Sequence, residues 1–123
     1  MTKQIILTYQ DKEFIDLSSE IKCQYLLFNN NLTKNLILPP NIFFADLSNN
    51  QLEYIEITGN QLVYLDLSNN NINLLPENLP NTLNFLELDN NPLYVIPNNL
   101  PSNLTYFNYN IYSPKNYNID KEK

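Results

Sequence analysis

The chain has 123 residues, with thirteen acidic and seven basic side chains, no histidine, one cysteine and one glycine. A net charge of −6 without a basic cluster argues against nucleic acid or anionic membrane as a partner. The lack of histidine excludes Ser-His-Asp and Cys-His catalysis and His-bearing metal sites, and a single glycine excludes a Gly-rich phosphate loop.

The length is one domain's worth, and the 43% apolar content is enough for a core. Lone Cys23 cannot close an intramolecular disulfide, which suits a reducing compartment. No apolar run reaches the roughly 18 residues of a membrane span. The start, MTKQIILTYQDKEF, is too short in its apolar run for a signal peptide. The expected location is therefore cytoplasmic or otherwise intracellular. About one residue in five is asparagine. With glycine confined to position 59, asparagine has to supply the left-handed turn conformations.

In chain order, one short phrase keeps returning. It begins as IILTYQ (Ile5–Gln10) and returns weakly as CQYLLFNNNL (Cys23–Leu32). It is clear in IFFADLSNNQL (Ile42–Leu52), LVYLDLSNNNI (Leu62–Ile72) and LNFLELDNNPL (Leu83–Leu93), and fades in LTYFNYNIY (Leu104–Tyr112). Its alternating apolar pairs read Ile5/Leu7, Tyr25/Leu27, Ala45/Leu47, Leu65/Leu67, Leu86/Leu88 and Phe107/Tyr109, spaced 20, 20, 20, 21 and 21 apart. Half a period away lie Ile15/Leu17, Leu36/Leu38, the echo LEYIEITGNQL (Leu52–Leu62), NLLPENLP (Asn73–Pro80) and VIPNNLP (Val95–Pro101). Each coil of about 20 residues should thus carry two short extended segments, one on either side. The prolines at 76, 80, 92, 97 and 101 block helix on the second side, so very little helix is expected.

The frame LxxLxLxxNxL resembles the leucine-rich repeat. The phrase LPENLPNTLNFLELDNN resembles the short 20–21-residue class with LPxxLP convex segments, known from bacterial effectors and large DNA viruses. The likeness is strong from Ile42 to Leu104 and weaker outside. It implies a mainly β, irregular solenoid: a right-handed coil of about six turns with a parallel concave sheet. The expected organisation is an N-terminal capping coil over 1–22, a repeat solenoid over 23–112 and a C-terminal tail over 113–123; the stretch YFNYNIYSPKNYNIDKEK, with Tyr106, Tyr109, Tyr112 and Tyr117, should either cap the last coil or dock on another chain.

In such a coil the paired leucines point inward. Asn30, Asn50, Asn70 and Asn91 then stand where the chain turns away from the sheet. A carboxamide both donates and accepts, so each can serve backbone groups in its own coil and the next, an asparagine ladder with Gln10 and Tyr112 in its place at the ends.

Function then falls to the outward positions of the sheet. Three columns result: Gln4, Gln24, Phe44, Tyr64, Phe85, Tyr106; then Ile6, Leu26, Asp46, Asp66, Glu87, Asn108; then Thr8, Phe28, Ser48, Ser68, Asp89, Asn110. Aromatics supply rigid contact area and carboxylates select a basic partner. The candidate binding residues are Phe28, Phe44, Asp46, Tyr64, Asp66, Phe85, Glu87, Asp89 and Tyr106. The expected role is non-enzymatic binding of a Lys- or Arg-bearing protein or peptide, without a cofactor or metal. The competing role is a structural protein that self-associates through its terminal edges. On a purely structural reading, the aromatic column merely ties neighbouring strands together.

Overall fold

The computed structural model describes residues 3–95 and 100–110. Nine strands follow one another among these residues: β1 (Lys3–Thr8), β2 (Phe14–Asp16), β3 (Cys23–Asn29), β4 (Asn35–Ile37), β5 (Phe44–Asp46), β6 (Tyr54–Glu56), β7 (Tyr64–Asp66), β8 (Phe85–Glu87) and β9 (Tyr106–Asn108). They form two parallel sheets, one of six strands in the order β1-β3-β5-β7-β8-β9 and one of three in the order β2-β4-β6. The chain winds between the sheets as a β-solenoid of about five turns, one fewer than the sequence suggests, and no helix occurs among the described residues. The reading of 113–123 as a tail, and Tyr112 as an end residue, lie outside the described residues.

The core lies between the sheets. Ala45, Leu47, Leu65, Leu67, Leu86 and Leu88 come from the large sheet, and Leu36, Leu38, Ile55 and Ile57 from the small one; all are buried. Alternation along each strand sends every second side chain to that core. Repetition of the same phrase lines up identical positions: Phe44, Ala45 and Asp46 pair with Tyr64, Leu65 and Asp66, and these with Phe85, Leu86 and Glu87.

The second copy departs from its expected placement. Leu26 and Phe28, not Tyr25 and Leu27, are fully buried, and Tyr25 is 42% exposed. The inward positions therefore run Ile5, Leu26, Ala45, with spacings of 21 and then 19 rather than 20 and 20. Four consecutive apolar residues, Tyr25 to Phe28, carry no parity, so period-2 reasoning cannot fix their faces, and a one-residue slip exchanges them all. Phe28 is thus a core residue, not an outward binding residue. The same slip puts Asn31 rather than Asn30 at the inner corner.

From the second coil on, each corner uses two adjacent asparagines. Asn30, Asn49, Asn69 and Asn90 have φ between 59° and 61°. The next residue turns inward. Asn50 Nδ2 donates to the carbonyls of Phe28, Leu47 and Ser48; Asn70 Nδ2 to those of Leu47, Leu67 and Ser68; Asn91 Nδ2 to those of Leu67, Leu88 and Asp89. Their Oδ1 atoms accept the N–H of Asn31, Leu52 and Ile72 in the preceding coil. At the first corner Tyr9 holds the left-handed position, with φ 58°, while its side chain is 81% exposed. A tyrosine there carries a strain of about 1–2 kcal/mol that asparagine tolerates. Tyr9→Asn should therefore stabilise the fold by about 1 kcal/mol, read as a higher urea midpoint at unchanged m.

The residue two after each inner asparagine is buried: Thr33, Leu52, Ile72 and Leu93. Thr33 occupies a slot that is aliphatic in the other coils, and its Oγ1 is buried with no hydrogen-bond partner. Thr33→Val keeps the shape and removes the orphaned hydroxyl. A gain of about 1 kcal/mol in thermal or urea unfolding is expected.

The second sheet stops after three strands. Where a fourth would lie, Asn73–Pro80 runs through bends and turns, with Pro76 and Pro80 unable to donate to a ladder. Asn78 Nδ2 instead donates to the Ile57 carbonyl at 2.8 Å, serving with a side chain a group that a strand would serve with its backbone.

Candidate functional site

The exposed face of the six-stranded sheet carries an unbroken row of rings. Phe44, Tyr64, Phe85 and Tyr106 stack face to face, with centroids 4.2, 4.2 and 4.4 Å apart and planes within 8° of parallel. Tyr25 begins the row, tilted 37° against Phe44 at 6.1 Å. It holds the place assigned from sequence to Gln24, because the slip in β3 moved it there. The parallel register sets the rings at matching positions of neighbouring strands, and strand spacing of about 4.8 Å brings them into contact. Stacking has a chemical consequence: each inner ring spends both faces on its neighbours. What the inner rings offer a partner is ring edges and the Tyr64 hydroxyl, not open faces for a sugar or a cation.

Next to the rings run Asp46, Asp66 and Glu87, paired across β5, β7 and β8. The structure supplies a local reason for carboxylates at these stacked positions. Asp46 Oδ1 accepts both the N–H and the hydroxyl of Ser48, and Asp66 Oδ1 accepts both from Ser68. Asp16 does the same for the Ser18 N–H on the other sheet, and Glu87 Oε2 for the Asp89 N–H. Each carboxylate closes the turn that ends its strand. The signal was visible as Asp-Leu-Ser at 16–18, 46–48 and 66–68, but Ser48 and Ser68 were read as outward column residues rather than as partners of the acids.

The carboxylates are not equally occupied. Glu87 Oε1 accepts the Tyr106 hydroxyl at 2.7 Å, its Oε2 also accepts Asn108 Nδ2, and Asp89 Oδ1 accepts Asn110 Nδ2. Asp46 and Asp66 use only Oδ1, so their Oδ2 atoms have no protein partner among the described residues. The Tyr64 phenol is pushed above its ordinary pKa chiefly by burial, then by Asp66, Asp46 and Glu87. The Tyr106 phenol is raised chiefly by its bond to Glu87.

The charge distribution is lopsided. Between residues 35 and 110 there are seven acidic residues (Asp46, Glu53, Glu56, Asp66, Glu77, Glu87 and Asp89) and no lysine or arginine. The described cations, Lys3, Lys12, Lys22 and Lys34, all lie in the first two coils, where Lys3 pairs with Glu20 and Lys34 with Glu13. Among the described residues no lysine or arginine lies between β5 and β9 to offset the carboxylates of Asp46, Asp66, Glu87 and Asp89.

Of the sequence-predicted site residues, Phe44, Asp46, Tyr64, Asp66, Phe85, Glu87, Asp89 and Tyr106 share this face, while Phe28 lies in the core. A separate open groove of about 1150 Å³ runs along the asparagine corners, lined by Asn35, Tyr54, Asn71, Asn73, Asn90 and Tyr94 among others; none of the aromatic or acidic column residues reaches it. Among the described residues no group of three or more His, Cys, Asp or Glu side chains is placed to hold a metal, and no helix is long and apolar enough to cross a membrane. Cys23 is buried in the core and its thiol is pushed up by burial, away from the reactive thiolate form. No protein family, curated protein or solved structure matches this chain.

Proposed function

We propose that this chain is a non-enzymatic interaction module of the leucine-rich-repeat kind, acting inside the cell. It takes a Lys- or Arg-bearing segment of a partner protein on the exposed face of the six-stranded sheet. The observation that carries this reading is the uncompensated charge: seven acids and no cation over residues 35–110, with the Oδ2 atoms of Asp46 and Asp66 open beside a rigid ring row. Such a field steers a basic partner into encounter, and the rings add contact area that costs little entropy to order. The LxLxxN frame, the paired asparagine corners and the LPENLP segment support the repeat class. Carboxylates on an open sheet lack the desolvation that general acid catalysis needs, in keeping with a binding role.

The test must separate charge from turn closure. Asp46→Asn/Asp66→Asn keeps an Oδ1 to accept from Ser48 and Ser68, and removes both charges. In pull-downs from the native cell the double variant should lose a partner that the wild type holds, with affinity lower by about tenfold or more and the remainder less sensitive to salt. Equal capture of the same protein by both forms, at low and at moderate salt, would remove this face as the site.

A further inference from the structure

The row of rings is not uniform along its length. Tyr64 and Phe85 each have a parallel ring on both sides. Phe44 has one on the Tyr64 side alone. On its other side Tyr25 stands off, with centroids 6.1 Å apart and planes inclined at 37°, against 4.2 to 4.4 Å and 8° or less along the rest of the row.

Backbone pairing does not cause the gap, since Tyr25 lies opposite Phe44 in parallel register just as Phe44 lies opposite Tyr64. A competing ring does. Phe43 meets Tyr25 edge to face, with centroids 6.1 Å apart and planes at 64°. The corresponding residue before each later ring is Val63, Asn84 or Thr105, none of them aromatic. Edge-to-face and offset-stacked pairs are both favourable, so Tyr25 divides its contact between Phe43 and Phe44 and does not close on either.

Tyr25 and Phe44 therefore bound a wedge-shaped gap, and Tyr25 is 42% exposed there. Asp46 follows Phe44 by two residues on β5 and shares its outward face, with uncharged Leu27 opposite on β3. Asp46 closes its turn through Oδ1, which leaves Oδ2 without a protein partner among the described residues. Diagonal neighbours on a sheet face lie roughly 7–8 Å apart, so one long side chain can reach both the rings and this oxygen. The far end of the row differs: beside Tyr106, Glu87 already accepts the Tyr106 hydroxyl and Asn108 Nδ2.

We propose, taking the acidic face as the binding surface, that the anchoring cation of the partner is an arginine seated at this wedge. Its guanidinium lies against Tyr25 and Phe44 and donates from its edge to Asp46 Oδ2. Shape selects arginine over lysine. A guanidinium is planar and weakly hydrated, so it can lie flat on a ring while its in-plane N–H groups bond a carboxylate; an ammonium is a strongly hydrated point charge. A ring attracts a cation held over its face within about 6 Å of its centroid, and the wedge brings two rings into that range. The closed stack further along presents ring edges, which carry the positive end of the quadrupole and repel a cation.

Two capped peptides, Gly-Gly-Arg-Gly-Gly and Gly-Gly-Lys-Gly-Gly, are the probes, titrated at low salt while the backbone amide NMR signals are followed. The arginine peptide should bind about threefold tighter and move the signals of Tyr25, Phe44 and Asp46. Tyr25→Leu should bring its affinity down to that of the lysine peptide, and Asp46→Asn/Asp66→Asn should weaken both. Phe43→Val, which gives this coil the residue of the next, should let Tyr25 close on Phe44 and erase the preference with both rings of the wedge still present. Circular dichroism and the urea midpoint first establish that each variant is folded. Equal binding of the two peptides, weakened for both by the double Asn variant, overturns the arginine seat and leaves the acidic face standing. A preference that survives Tyr25→Leu or Phe43→Val overturns the seat as well. Binding that ignores the double Asn variant, or no binding of either peptide at millimolar concentration, removes the face and the seat together.

Discussion

Asn70→Ala is expected to cost about 3–4 kcal/mol of unfolding free energy, far more than an ordinary polar-to-alanine change. The Asn70 carboxamide donates to the Leu47, Leu67 and Ser68 carbonyls at 2.9, 3.0 and 3.2 Å, and accepts the Leu52 N–H at 2.9 Å. Alanine orphans groups in two coils at once, each at about 1–3 kcal/mol where water cannot reach. In a solenoid the damage is concentrated at one neighbour interface, so cooperativity should fall with stability. Asn71, one residue on, is exposed and engages the fold through its backbone N–H alone. Asn71→Ala should stay within about 0.5 kcal/mol. Urea unfolding of the two variants side by side decides the matter: equal losses would mean that the inward corner carboxamide is not what ties coil to coil.

Gly59→Ala should be the second severe substitution, at about 3 kcal/mol or more, although it adds one methyl group to a turn near the surface. Gly59 has no left-handed φ to protect. Its constraint is space: a Cβ would overlap the Pro40 carbonyl oxygen in the preceding coil, with the Pro40 carbonyl carbon immediately behind. Backbone cannot step aside as a side chain can, so the two coils must part locally, beyond the usual cost of overpacking. Thr58→Ala, beside it and exposed, serves as the control and should be near neutral. A Gly59→Ala protein with wild-type melting behaviour would show that the coils are held less tightly there than this approach implies.

These two positions show where sequence reading succeeds and where it stops. The repeat period, the inward leucines from Ile42 onward and the need for asparagine at the corners were legible because period-2 alternation and left-handed turns leave local marks. The division of labour within each Asn-Asn pair was less so. At 49/50 and 69/70 the clear frame identifies the inner residue, whereas the run Asn29 to Asn31 offers three candidates, and the frame points to Asn30 where the structure turns Asn31 inward. Phe28 failed for the same reason, since Tyr25 to Phe28 is apolar throughout and its faces are set only by pairing with β1 and β5. The constraint at Gly59 had no sequence signal, because it comes from a carbonyl about twenty residues away.

The candidate face divides likewise. That aromatic and acidic residues would share it followed from their common phase. That the rings spend their faces on one another, that the acids close turns with Ser48 and Ser68, and that Glu87 is already engaged while Asp46 and Asp66 remain open are facts of three dimensions. The sequence by itself determined the coil: its period, its core residues where alternation is unambiguous, and the negative charge along its length. The tertiary structure alone decided the register of the second coil and, among the described residues, the end of the second sheet at β6. Each depends on which backbone groups meet across a coil, and a local pattern does not specify its partner in the next turn.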